Sequence, residues 1–301
     1  MVTLSLPSTR RRREGLAAFS AHLLVALIAL VVVGGATRVM EAGLACPDWP
    51  LCYGSLLPGR QMNLQVFLEW FHRLDAFVVG VGLLVLTGLS WWWRKELPPW
   101  CPPVASLALV LVIVQAALGA LTVTLLLPFP VVTAHLVTAL LLVALLSGAT
   151  QALWASPPPT SVPESSGRSL SVWPWLAGGA ALLVFAQCLL GGLMATQWAA
   201  GRCVGHGDGC EWLLLHRLGA RVVGLLVVLL AAVWGWRRPL DRLLASAAAL
   251  LVLLQIALGV FSLRYSLSVP AITIGHQLGA ALLVALMAAL VVRSWPVLID
   301  G

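Results

Sequence analysis

Eight runs of apolar residues alternate with short polar stretches along the 301 residues. They lie near 17–37, 64–93, 103–127, 130–153, 173–196, 212–236, 243–263 and 270–293. Each can cross a hydrocarbon core, which takes about 20 helical residues. The pattern predicts an all-α membrane protein with eight transmembrane helices. Only Leu127-Pro128-Phe129-Pro130 separates the third run from the fourth, and only Arg264 to Pro270 the seventh from the eighth. Both pairs therefore read as tight helical hairpins.

Trp154 to Val172 breaks the pattern, being rich in Pro and Ser without apolar periodicity. It reads as a linker between an N-terminal four-helix half (1–153) and a C-terminal one (173–301). Landmarks recur in the same order in both halves. Gly34-Gly35 matches Gly191-Gly192, and Cys46 and Cys52 match Cys203 and Cys210. His72-Arg73 matches His216-Arg217, and Gln115 to Gly119 matches Gln255 to Gly259. Pro130 then His135 matches Pro270 then His276. Units with an even number of spans repeat in parallel, about an axis along the membrane normal.

Composition agrees. The chain is 60% hydrophobic and only 10% charged, against about 25% charged in soluble domains. Its net charge of +7 comes almost wholly from arginine. In a membrane protein this bears on topology and not on nucleic acid. Arg10 to Arg13, Arg94, Lys95, Arg168, Arg237, Arg238, Arg242 and Arg293 fall on one side, and only Arg38, Arg60, Arg202 and Arg264 on the other. The richer side is expected to be cytoplasmic, with both termini there. The first run is long enough to span and lacks an early small-residue cleavage site, so it is not expected to be a cleavable signal peptide.

Ionisable residues inside such runs are costly to bury and mark function by default. Glu69, His72 and Arg73 crowd the head of the second run, with Glu69 and His72 on one helical face. His72, His135, His216 and His276 each lie a few residues into an even-numbered span. All four thus fall within about 6–12 Å of its outer end. Two histidines at similar depth in each half suit axial ligation of a haem between helices. Two ligands are too few for a structural zinc site. The plain alternative, core histidines bonded between helices, explains one such residue better than two repeated pairs. Arg73 and Arg217 are candidate propionate partners, though snorkelling to the headgroups fits them equally. His22 reads as interfacial and His206 as a loop residue.

Aligning His72 with His216 sets Glu69 opposite Leu213, while Glu211 lies nearer water and off that face. A site that only holds a haem needs no carboxylate. One that moves protons or stabilises developing charge does. The first half therefore reads as the reacting site and the second as the cofactor site. A plainer role for Glu69 is pairing with Arg73. In the outer loops Cys46-Cys52 and Cys203-Cys210 form close pairs, which an oxidising compartment would favour as disulfides, structural or exchanging. Cys101 and Cys188 read as free. The Trp- and Pro-dense loop Gly43 to Gly54 reads as an ordered lid.

Gly34-Gly-Ala-Thr-Arg38, the loop with Cys46-Pro-Asp-Trp-Pro-Leu-Cys52, Glu69-Trp-Phe-His-Arg73, Ala134-His-Leu-Val-Thr138, Leu215-His-Arg217 and Gly275-His-Gln277 carry a resemblance over nearly the whole chain. The sequence resembles the haem A synthase family of bacterial and mitochondrial membranes, departing at Met40-Glu41. The resemblance implies oxidation of the C8 methyl of haem O to a formyl group by successive hydroxylations and loss of water, supplying terminal oxidases. It implies haem b ligated by His216 and His276, the substrate haem at His72 and His135, and a catalytic Glu69. It also implies a redox-active or disulfide pair at Cys46 and Cys52. Expected partners are a membrane or soluble electron donor, haem O synthase, oxidase assembly factors and the lipid bilayer, in a bacterial inner membrane with the haem sites towards the outer face. The rival readings are a di-haem electron-transfer cytochrome and a haem transporter.

Overall fold

The computed structural model describes residues 6–155, 172–196, 203 and 210–295. Most of the linker, the His206 loop, Arg168 and Arg202 lie outside the described residues. Eight long helices make up the described chain: α1 (Leu6–Val39), α2 (Leu64–Trp92), α3 (Cys101–Thr124), α4 (Phe129–Trp154), α5 (Trp173–Thr196), α6 (Cys210–Arg237), α7 (Arg242–Arg264) and α8 (Pro270–Ser294). A 3₁₀ turn, Pro239–Asp241, joins α6 to α7. All eight helices are long and apolar enough to cross a membrane, and the protein is a multi-pass membrane protein. Among the described residues there is no strand, only an isolated bridge between Cys52 and Ser55.

Local chemistry sets the helix starts. The Asn63 side chain accepts the Val66 N–H at 3.0 Å and caps α2. Prolines occupy the first turns of α3, α4 and α8, where the missing N–H has no helical partner to lose. One boundary differs clearly from the sequence expectation. α1 begins at Leu6, not near residue 17, because the basic cluster is helical and engaged. Arg10 pairs with Glu14 one turn on at 2.7 Å. Arg12 pairs with Glu96 and lies over the Trp93 ring. Arg13 donates to the carbonyls of Leu153 (2.8 Å), Ala152 (3.2 Å) and Ala155. These carbonyls end α4 and have no acceptor role left inside it. Arg13 thus closes the C-terminus of α4 from α1.

Within each half the helices pack in a ring: α1–α2–α3–α4 and α5–α6–α7–α8. The halves meet through α4 against α8, α1 against α8 and α4 against α5. Polar links join helices within the first half, Ser20 to Thr150 (2.7 Å) and Thr87 to the Ala105 carbonyl (3.0 Å), and Ser147 to the Ala285 carbonyl (2.7 Å) crosses between the halves. In hydrocarbon each is worth about 0.6 kcal/mol. The α3–α4 and α7–α8 connections are built alike. Leu126 and Leu127 have φ of 58° and 60°, and Ser266 and Leu267 have 50° and 60°. Leu127 N–H reaches the Thr122 carbonyl and Leu267 N–H the Ser262 carbonyl, at 2.7 and 2.8 Å.

Candidate functional site

Four histidines gather as two pairs at one end of the helices. His72 and His135 face each other with ring centroids 6.5 Å apart and planes at 79°. His216 and His276 repeat this at 6.4 Å and 85°. Each ring is seated on a glycine of the helix before its own. A Cβ at Gly34, Gly119, Gly191 or Gly259 would lie 2.8, 3.4, 2.9 or 3.2 Å from the Cε1 of His72, His135, His216 or His276. So α1, α3, α5 and α7 supply the seats, and α2, α4, α6 and α8 the rings. The Nδ1 atoms differ in their partners. His276 Nδ1 meets the Gln255 carbonyl at 3.1 Å, and His216 Nδ1 meets the Gln187 amide at 2.9 Å. His72 and His135 hold a buried Nδ1 without a hydrogen bond.

This spacing suits one ion shared by two rings. Metal–imidazole bonds are about 2.0–2.1 Å, and the nitrogen stands ~1.1 Å from its ring centre, so two rings on opposite sides of an ion sit roughly 6.3 Å apart. Among the described residues no cluster of three or more histidine, cysteine or carboxylate side chains offers a closed metal site. Two ligands per site fit a metal that brings its own equatorial donors, as haem iron does.

Glu69 is 3% exposed, yet it does not turn to His72. One carboxylate oxygen bonds the Arg73 guanidinium and the other accepts the Cys46 N–H at 2.8 Å. The helix explains the choice. Four residues on, Arg73 lies nearly above Glu69, while His72 is rotated towards Gly34. Arg73 also donates to the carbonyls of Asp48 (2.6 Å), Leu51 and Cys46 (3.4 Å). Both its Nη groups are thus committed to Glu69 and the loop. Arg217, its counterpart, is exposed and makes no hydrogen bond among the described residues. Leu213, opposite Glu69 in the alignment, is buried.

The loop 43–54 is therefore a cover clamped to α2. Cys46 and Cys52 are disulfide-bonded inside it, and Trp70 Nε1 donates to the Leu56 carbonyl at 2.6 Å. The Asp48 carboxylate accepts the N–H groups of Gly54 (2.8 Å) and Tyr53 (2.6 Å). Those bonds, the Gly54 one foremost, hold its pKa below the ordinary 3.8. Cys203 and Cys210 are also disulfide-bonded, while Cys101 and Cys188 are free. His22 is exposed and bonds only the Ala18 carbonyl of its own helix, at 2.7 Å.

Sequence reasoning missed Gln187, although Gln-x-x-x-Gly recurs three times: Gln115–Gly119, Gln187–Gly191 and Gln255–Gly259. It named Gln277 only as part of the Gly275-His-Gln277 motif, without a role, and passed over two charged residues within spans, Asp75 and Arg221. The rule that singled out Glu69 applies equally to those two.

Comparison with known proteins gives a consistent family. The model of the cytochrome oxidase assembly protein family COX15-CtaA matches residues 17–288. The haem A synthase of Shewanella oneidensis is 30% identical, covering 86% of this chain and 91% of its own. Those of Erythrobacter litoralis and Sphingopyxis alaskensis are each 26% identical, covering 86% and 88% of this chain and 90% and 88% of their own.

Proposed function

Because the chain belongs to the cytochrome oxidase assembly protein family, we propose that it is a haem A synthase, an oxidoreductase of the membrane. It oxidises the C8 methyl of haem O to a formyl group by successive hydroxylations and loss of water. The observation that carries this reading is the pair of matched histidine sites, each spaced for one iron, only one of which has a buried carboxylate nearby among the described residues. The relatives named haem A synthase, aligned over most of their length, support haem A as the product.

In this reading His72 and His135 orient the substrate haem, and His216 and His276 hold a haem b. The bound haem b supplies one-electron chemistry. Hydrogen bonds at Nδ1 fix the rings of His216 and His276, as expected where a ligand must stay put. The rings of His72 and His135 lack such bonds, which suits a site that loads and releases its occupant. Glu69 is the carboxylate for proton handling and charge stabilisation at the reacting site. Through Cys46 and Arg73 it also anchors the cover, which keeps water from the oxidised carbon. The protein sits in a bacterial inner membrane, termini in the cytoplasm and histidines towards the outer face.

The test is to express the protein with a haem O source and extract the haems. Haem A is expected from the wild type and strongly reduced haem A from Glu69→Gln. No haem A from the wild type would overturn the reading. The near-identical geometry of the two pairs favours a second reading, a di-haem electron-transfer cytochrome. Two permanently bound haems on redox titration, with neither converted, would support that instead.

A further inference from the structure

Gly34-Gly35 in α1 and Gly191-Gly192 in α5 are adjacent glycines, and only the first of each pair seats a histidine of its own half. The second faces the other half. A Cβ on Gly35 would lie 2.2 Å from Gln277 Oε1, and one on Gly192 would lie 2.7 Å from Leu136 Cδ2. Gln277 directly follows His276, and Leu136 directly follows His135. One contact is thus made twice. The residue after the last histidine of one half fills a notch in the first helix of the other.

The two contacts differ in chemistry. Leu136 offers only apolar packing. Gln277 donates from Nε2 to the Val31 carbonyl of α1 at 3.2 Å. That carbonyl has a second lone pair free to accept while it serves its own helix. Val31 lies one helical turn before Gly34, on which the His72 ring is seated. Through Gln277, His276 is therefore joined to the stretch of α1 that seats His72. The mirror contact, from His135 through Leu136 to α5, has no hydrogen bond from its side chain. A primary amide in an apolar bundle costs free energy unless it is paired. A leucine fills the equivalent notch without that cost.

We propose that Gln277 is a positioning residue that ties the His216–His276 pair to the helix seating His72, so that the state of one site is felt at the other. This rests on reading the pairs as cofactor and substrate sites. The tie is present in one copy only, because only the reacting half receives an amide, and the coupling it carries is reciprocal. Coupling between two sites of this kind is a free energy that either occupant can read out.

The experiment uses the full-length protein, wild type and Gln277→Leu, which converts the contact to its apolar mirror. Three quantities are read: the ratio of retained haem to protein, the retained haem's electron paramagnetic resonance spectrum before and after haem O is added, and kcat and KM for haem O. The variant is expected to keep its haem at the wild-type ratio. It should lose the spectral shift that haem O induces in the wild type. Its kcat should fall roughly tenfold, the effect of one hydrogen bond, with KM unchanged. Gly35→Ala, whose added methyl displaces the amide, should behave alike. An unchanged spectral shift and kcat in Gln277→Leu would overturn the proposal. So would loss of the retained haem, which would make Gln277 a support of its own site only. A wild type that converts no haem O would sink the enzymatic reading, while the spectral arm would still decide the role of Gln277.

Discussion

A methyl group on Gly34 or Gly191 would meet the His72 or His216 ring at under 3 Å, closer than side-chain carbons approach, so the ring must move. Gly191→Ala is expected to empty the His216–His276 site and spare the other. Gly34→Ala should do the reverse. Haem-to-protein ratios of the two purified variants, with and without haem O, check this. His216→Ala and His276→Ala should likewise lose the retained haem. Asp48 gives a prediction in pH. Its folded pKa is depressed, so its contribution to the cover is fully present above the unfolded value of 3.8 and is lost as pH falls through the lower folded value. Hydrogen exchange at Tyr53 and Gly54, corrected for its intrinsic pH dependence, should keep its protection above that value and lose it below. Loss of protection already at pH 6 would contradict this. Of these residues the histidines and Glu69 were legible in the sequence, being polar groups in apolar runs. The partners of Glu69 were less so, because helix periodicity alone ranks His72 and Arg73 as near-equal neighbours.

At the scale of elements, the α3–α4 and α7–α8 hairpins carry a cost in their turns. Consecutive non-glycine residues with φ near +60° cost about 1–2 kcal/mol each relative to ordinary conformations. Leu126 is 75% exposed, so its side chain has little packing to lose. Leu126→Gly is expected to stabilise the protein by about 1 kcal/mol, relief of strain outweighing the extra freedom of the unfolded chain. Thermal unfolding in detergent measures it, and a clear fall in Tm would refute it. The run lengths and prolines placed these hairpins in the sequence. The conformation of Leu126 and Ser266 left no mark there, since neither is a residue that usually signals a left-handed turn. The long first helix was hidden for a related reason. Arg10 to Arg13 look like a solvated flank until Glu96, Trp93 and the end of α4 are brought beside them.

For the whole molecule, the uneven distribution of arginine predicts both chain ends on the cytoplasmic side. Reporter fusions at either end should be active only in the cytoplasm, and activity outside would invert the topology. The halves are held together by α1, α4, α5 and α8, leaving α2, α3, α6 and α7 at the periphery. The helices that carry the histidine seats in α1 and α5 are thus also the helices that join the halves. A change at one histidine pair has a direct mechanical route to the seam.

The sequence by itself determined the number of spans, the pairing of histidines and the carboxylates of the second span, Glu69 foremost, that have no counterpart in the other half. These follow from burial cost and helical period, which act on a residue wherever its neighbours lie. Only the tertiary structure decided which glycine seats which ring, that Glu69 and Arg73 clamp the disulfide loop, and that Gln277 reaches α1. Each of these joins residues far apart in the chain. Their contacts depend on how two helices lie against each other, and no local pattern of polar and apolar positions carries that information.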